Sequence, residues 1–178
     1  MKQKNANLDK RIKIGISSCL LGNEVRYDGG HSRSDCIIDN MGDSFEYIAF
    51  CPEVAIGMSI PRQPINLVSI DGVIRVRGVS DSNQDVTDDL TNYAVSITDQ
   101  LNMMCGYIFK SRSPSCGLVD VNVYDEHTSQ IIDTSAGQFA KIIRQQQPYF
   151  PVEDEVRLAD KELREDFIHR VMVYAQKK

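Results

Sequence analysis

Three cysteines each follow a short apolar run and each stand close to a Gly or Pro. The runs are Ile14-Gly15-Ile16-Ser17-Ser18-Cys19, Tyr47-Ile48-Ala49-Phe50-Cys51 and Tyr107-Ile108-Phe109-Lys110, the last leading into Ser113-Pro114-Ser115-Cys116-Gly117. A short apolar run bounded by turn signals is the pattern of a strand buried on both faces, as in a parallel sheet. Open α/β sheets hold their ligands outside the carboxyl ends of the strands. The spacing therefore predicts three thiols gathered at one sheet edge.

The rest of the chain fits that frame. Residues 12–18 are expected to form the first strand, 32–42 a helix carrying Cys36, Ile37, Ile38 and Met41, and Tyr47–Cys51 the second strand. The runs 65–70 and 73–78 flank Asp71-Gly72, a pair suited to a type I′ hairpin because both positions need positive φ. A helix should begin at Thr87-Asp88-Asp89 with a capping hydroxyl. Leu90, Ala94, Ile97, Leu101 and Met104 carry it at helical spacing to Cys105-Gly106. Strands at 107–110 and 119–124 and a helix at 136–146 follow. Beyond Pro148 and Pro151 a charged tail carries Leu163, Phe167, Val171 and Tyr174 as a narrow apolar stripe, which must dock on something. The expected architecture is a Rossmann-like, three-layered α/β domain with a mostly parallel sheet and a small β-hairpin flap. Residues 1–11 form a polar segment, 12–147 the domain and 148–178 a C-terminal extension.

At 178 residues with 42% hydrophobic content the chain suits one domain with a sizeable core. Its net charge of −5 argues against a broad nucleic-acid-binding surface, so any RNA contact should be local or borrowed. Met1–Lys10 lacks the apolar stretch of a signal peptide, and no run approaches a membrane span. The expected setting is the cytoplasm, without membrane contact. Five cysteines there, an odd number, point away from a disulfide framework and toward metal or catalysis. Nothing in the residues points to an oligomeric state.

Cys19, Cys51 and Cys116 can be read singly as small buried hydrophobes. Their shared placement at strand ends favours a common thiolate site. Zinc sites usually draw two ligands from one Cys-x-x-Cys knuckle, and none is present. Three separated thiolates suit an iron–sulfur cubane with one iron left open, although spacing alone leaves both metals standing, with His31 a candidate fourth ligand for zinc. Cys36 and Cys105 fall among apolar neighbours and read as packing residues. Glu53, one residue beyond Cys51-Pro52, is either a helix-end carboxylate or a base beside the metal. Ser113 and Ser115 flank Pro114 in a tight turn, serving that turn or the chemistry at Cys116. Arg26-Tyr27-Asp28 and Arg62 lie in loops, where an Arg beside thiolates would offset their charge and offer planar donors to a heterocycle. His127 and His169 read as solvent-facing. No phosphate-binding glycine motif is present.

Ser17-Ser18-Cys19-Leu20-Leu21-Gly22, Val25-Arg26-Tyr27-Asp28-Gly29, Cys51-Pro52-Glu53-Val54, Pro61-Arg62, Asp85-Val86-Thr87 and Lys110 to Gly117 occur in the order seen in the thiouracil desulfidase (TudS) family. The chain resembles that family from about residue 12 to 147. The resemblance implies a 4Fe-4S cluster held by Cys19, Cys51 and Cys116, with a fourth iron open to the sulfur of a thiocarbonyl. It also implies that Glu53 activates water, that Ser113 positions substrate or passes a proton, and that hydrosulfide leaves without net electron transfer. Arg26, Tyr27, Asp28, Arg62 and Ser115 are the candidate substrate contacts.

Ala55-Ile56-Gly57-Met58-Ser59-Ile60 departs from the Gly-Gly-Leu of the compact free-base enzymes, and Asn66 stands where they often have an acid. The tail from Pro151 to Phe167 resembles the junction in longer relatives, which carry a second domain and act on 2-thiouridine in tRNA. The expected substrate is a thiolated pyrimidine base or nucleoside, with tRNA a partner where such a domain is supplied. The alternative is a zinc- or cluster-binding sensor or interaction module without catalysis.

Overall fold

Every apolar run that ends in one of the three site cysteines, or leads to one, becomes a strand of a single parallel sheet. The structure, a computed structural model, describes residues 11–41 and 44–178. Met1–Lys10 and residue 42, the end of the expected helix 32–42, lie outside the described residues. Along the chain come β1 (Ile12–Ser17), α1 (Asp35–Met41), β2 (Phe45–Phe50), α2 (Pro52–Ala55), β3 (Ile65–Ile70), β4 (Val73–Gly78) and α3 (Thr87–Ser96). Then follow α4 (Thr98–Asn102), β5 (Tyr107–Phe109), β6 (Val121–Asp125), β7 (Ile131–Ser135), α5 (Gln138–Gln146), β8 (Val152–Asp154) and α6 (Lys161–Gln176).

The parallel sheet has the order β2-β1-β5-β8. Strand β1 pairs with β2 along its whole length, Ile12 opposite Phe45 through Ser17 opposite Phe50, and with β5 through Gly15 and Ile16. Side chains alternate across the pleat. Ile14, Ile16 and Ile108 face one layer with Ile37, Met41, Phe167 and Val171 of α1 and α6. Tyr107 and Phe109 face the other layer with Ala94, Leu101, Phe139 and Ile143 of α3, α4 and α5. These are the three layers expected. The apolar stripe of the tail thus docks under the sheet, with Phe167 and Val171 fully buried and Asp160 capping α6 through the amides of Glu162 and Leu163.

The hairpin is more than a flap. Asp71 and Gly72 carry the positive φ values of 49° and 80° that the turn requires. Strands β3 and β4 then join β6 and β7 in a second sheet of order β4-β3-β6-β7, antiparallel except between β3 and β6. Two strands went unforeseen. Strand β7 is exposed almost throughout, including Ile131 and Ile132, so it carries no alternating pattern to read. Strand β8 is three residues long and follows Pro151, and only its pairing with β5 makes it a strand.

The expected long helix from Thr87 breaks at Ile97. The hydroxyls of Ser96 and Thr98 bond back to the carbonyls of Tyr93 and Val95, competing with the helical ladder. Thr87 is also not the cap. Its hydroxyl donates to Asp85 Oδ1 at 2.7 Å and accepts the amide of Val76 at 2.7 Å, tying β4 to α3. Arg75 completes the tie through Asp85 Oδ2 at 2.8 Å. Burial pushes the Asp85 carboxyl up, but the hydrogen bonds from Arg75 and Thr87 outweigh it and hold the group well below the usual carboxylate range. Because the folded value is depressed, this carboxylate stabilises the fold above about pH 4 and loses that contribution as the pH falls further. Asp85→Asn is therefore expected to lower unfolding free energy at pH 7 by about 1–3 kcal/mol. Urea unfolding of the metal-free protein at pH 7 and pH 3 checks this, since the gap between the two proteins should shrink at the lower pH.

Candidate functional site

The carboxyl ends of β1, β2 and β5 open into one cavity of about 440 Å³, closed on its far side by Pro64, Ile65 and Asn66 at the start of β3. Cys19 reaches it from a single 3-10 turn, Ser18–Leu21, that ends at Gly22 in the left-handed conformation with φ 93°. Its carbonyl accepts the amides of Gly22 and Ser32, which folds the following loop back over the site. Cys51 precedes α2, whose first residue is Pro52, and its Sγ lies 3.8 Å from the carbonyl oxygen of Val25. Cys116 arrives on the turn after β5. Ser113 Oγ shapes that turn by accepting the amides of Ser115 at 3.2 Å and Cys116 at 3.0 Å. All three thiols line the cavity.

Burial pushes the Cys19 thiol up to about 11, with the nearby Lys110 offsetting part of the rise and Cys51 adding to it. Burial likewise pushes Cys51 up, and drives Cys116 well above the ordinary thiol range. Glu53, Cys51 and Cys19 push Cys116 further in the same direction, so the three cysteines share one electrostatic field. Three thiolates at this edge would repel one another and the Glu53 carboxylate. A cationic centre that replaces their protons relieves that repulsion, which is the ordinary coupling of metal binding to thiol ionisation. Among the described residues no three His, Cys, Asp or Glu side chains converge closely enough to hold a single metal ion.

Glu53 forms the carboxylate of the cavity wall. Arg62 grips Oε2 with Nε at 2.9 Å and Nη2 at 2.8 Å, and Ser115 donates to Oε1 at 2.9 Å. The same Nη2 bonds the Val25 carbonyl at 2.9 Å, so one guanidinium braces both the Glu53 carboxylate and the loop beside Cys51. Arg62 and Glu53 are nearly buried, with side chains 6% and 14% exposed. A buried charge survives only with such partners.

The remaining candidates divide. Arg26, Tyr27, Arg62 and Ser113 line the cavity. Ser115 is fully buried and turns its hydroxyl to Glu53 rather than to the cavity. Asp28 stays outside the lining, accepting the Gly30 amide and facing Arg26. Arg75 and Arg77 of β4 pair with Asp85, Asp88 and Glu126. His31 is exposed, accepts the Arg33 amide and lies off the cavity, while His127 and His169 are exposed as expected. Cys105 is buried, and Cys36 packs its sulfur against the Leu158 carbonyl.

One residue escaped the sequence reading altogether. Glu155 accepts from Lys110 Nζ at 2.5 Å and from both the amide and hydroxyl of Ser111, pinning the wall that follows β5. It lies far along the chain in a charged stretch, where no local signal separates it from its neighbours.

The comparisons with known proteins bear on the cavity as a whole. The profile of the 2-thiouracil desulfurase family matches residues 14–155. The chain belongs to the 2-thiouracil desulfurase family. The match takes in every residue of the cavity and also Glu155. A similar solved structure is that of a [4Fe-4S]-dependent thiouracil desulfidase, TudS; it aligns with a TM-score of 0.66 and 28% identity, covering 88% of this chain and 99% of its own. The uncharacterized protein YbbK of Bacillus subtilis (strain 168), a further relative of this desulfurase, is 34% identical over 111 residues, 58% of this chain and 72% of its own length.

If the three cavity thiols act together as ligands, Cys19→Ser, Cys51→Ser and Cys116→Ser should each abolish retention of iron and acid-labile sulfide after anaerobic reconstitution. Cys36→Ser and Cys105→Ser should retain both. Equal loss across all five would show that the ligand set has been misassigned.

Proposed function

We propose that this chain converts the C=S group of a thiolated uracil into C=O by water, releasing hydrosulfide, with a 4Fe-4S cluster held by Cys19, Cys51 and Cys116. The observation that carries this reading is a single cavity lined by three thiols and a braced carboxylate. A cubane suits the donor set, because it spreads its thiolate ligands over separate irons and does not require them to meet at one point. When bound, such a cluster supplies a soft Lewis-acidic iron to which a thiocarbonyl sulfur has affinity.

The protein's own residues do the rest. Water attacking the ring carbon must give up a proton, and Glu53 is the carboxylate placed to take it. Arg62 on Oε2 and Ser115 on Oε1 fix its orientation, so the base is aimed before substrate arrives. The oxygen of Ser113 is occupied by two amides, which leaves its hydroxyl proton free to point at the ring or at the departing group. Tyr27, 43% exposed at the mouth, and Arg26, held to Ser32 at 2.8 Å, present a ring face and a planar cation to the heterocycle. Atoms balance as thiocarbonyl plus water giving carbonyl plus hydrogen sulfide, with no electron supplied or removed. A braced carboxylate on the cavity wall also speaks for catalysis over a purely binding module.

A cavity of this size admits a pyrimidine or its nucleoside. The chain's net charge of −5 offers few contacts to a phosphate backbone, on which RNA affinity chiefly depends. Free thiouracil and thiouridine are therefore the proposed substrates, with 2-thiouridine in tRNA a poorer one for this chain. Among the described residues no helix is long and apolar enough to cross a membrane. Five cysteines without a disulfide accord with a reducing, cytoplasmic setting.

Anaerobically purified protein should be brown, and should bleach in air; colourless protein with stoichiometric zinc would sink the cluster. Glu53→Gln is expected to keep the cluster and lower turnover by about 10²- to 10⁴-fold, the usual contribution of a positioned base. Hydrosulfide release at the wild-type rate would remove Glu53 from the chemistry. Release measured from equal concentrations of thiouracil, thiouridine and thiolated tRNA at two salt levels should favour the small substrates. A strong, salt-insensitive preference for tRNA would overturn the substrate assignment.

A further inference from the structure

Tyr107 is the largest fully buried side chain of the sheet, and its hydroxyl makes no hydrogen bond. A buried hydroxyl without a partner costs about 1–3 kcal/mol, and such a group in a native fold calls for an explanation. Its position is held firmly. The ring stacks on Phe109 at 4.2 Å and leans on Phe50, the residue before Cys51, at 5.8 Å. It also lies across Gly15 of the neighbouring strand, where a Cβ would come within 2.3 Å of the ring. Gly15 and Ser17 share one face of β1, so a ring laid over Gly15 carries its hydroxyl toward Ser17. The Ser17 hydroxyl is within reach of Tyr107 without meeting hydrogen-bond geometry, and Cys116 lies beside them both.

Ser17 is itself 3% exposed and lines the cavity. Its oxygen accepts the Lys110 amide at 2.9 Å, which leaves one lone pair and the hydroxyl proton to place. A protonated thiol is a weak acceptor, whereas a metal-bound thiolate is a charged one. The Ser17 proton therefore gains a charged acceptor when Cys116 is ligated, and the Ser17 oxygen, turned to the sulfur, keeps one lone pair for the Tyr107 hydroxyl.

We infer that Tyr107 and Ser17 form a hydrogen-bond relay, Tyr107 donating to Ser17 and Ser17 to the Cys116 thiolate, that completes when the site is loaded. Both are positioning residues. Hydrogen bonds to sulfur are among the levers that set an iron–sulfur potential, and they favour the more negative, reduced state. This inference rests on the reading that Cys116 ligates a cluster.

The test compares full-length wild type, Tyr107→Phe and Ser17→Ala, each reconstituted anaerobically with iron and sulfide. Equal iron content is expected in the three. Both variants should show a more negative reduction potential and an altered iron–thiolate stretch by resonance Raman, and should lose iron to a chelator about fivefold faster, the factor of one ordinary hydrogen bond. The metal-free proteins separate this from a packing role. Metal-free Tyr107→Phe should melt no lower than wild type, because it sheds an unpartnered hydroxyl, while Ser17→Ala melts lower through the orphaned Lys110 amide. Unchanged potential and stretch in Tyr107→Phe would overturn the inference, as would a lowered melting point confined to its metal-free form. Wild-type protein that takes up no cluster would overturn the inference and the proposed function together, whereas loaded wild type with indistinguishable variants would overturn the inference alone.

Discussion

The parallel pairing of β1 with β2 on one side and β5 on the other is the constraint on which the site depends. Because the three strands run the same way, the chain leaves each of them at the same edge. Cys19, Cys51 and the turn bearing Cys116 emerge there together. Strand β1 tolerates this close approach because Gly15 makes room for the Tyr107 ring. The same ring, with Phe109, Phe50 and Phe139, fills the layer beneath the cavity. The floor of the site is therefore rigid aromatic packing, and its polar atoms sit on elements that cannot move independently.

Burial at that edge sets the electrostatic problem that the surrounding residues answer. Three desolvated thiols whose protonated state is favoured lie beside a carboxylate. The carboxylate is balanced by Arg62 and Ser115, and Lys110 is balanced by Glu155. Glu53 and Lys110 are thus each paired on the wall, while the thiols keep their burial penalty, which a bound cation would offset in their ionised form. Two of the arginines on the wall take different places. Arg62 is consumed in bracing Glu53, while Arg26 stays at the mouth beside Tyr27.

The second sheet supplies the far wall and the brace. Its first strand begins with Ile65 and Asn66 on the cavity, and the loop before it delivers Arg62. The tie among Arg75, Asp85, Thr87 and Val76 anchors the hairpin to α3 and commits the Arg75 guanidinium to Asp85.

The three apolar runs, their turn residues and the Asp71-Gly72 hairpin were legible from residues alone, because strand burial and turn chemistry are local properties with local patterns. So were the three cysteines as a set and the docking of the tail helix through Phe167 and Val171. Strands β7 and β8 were not, since an exposed strand and a three-residue strand exist through their partners. Nor was the direction of Ser115, the pairing of Glu155 with Lys110, or the fate of Arg75 and Arg77. Those assignments join residues 45 and 62 positions apart, or hinge on which nearby carboxylate lies within reach of a guanidinium. Sequence determined which chemical groups the site would own; tertiary structure alone decided which of them face the cavity and which are spent holding others in place, because hydrogen bonds and desolvation act over a few ångströms of space, whatever the separation along the chain.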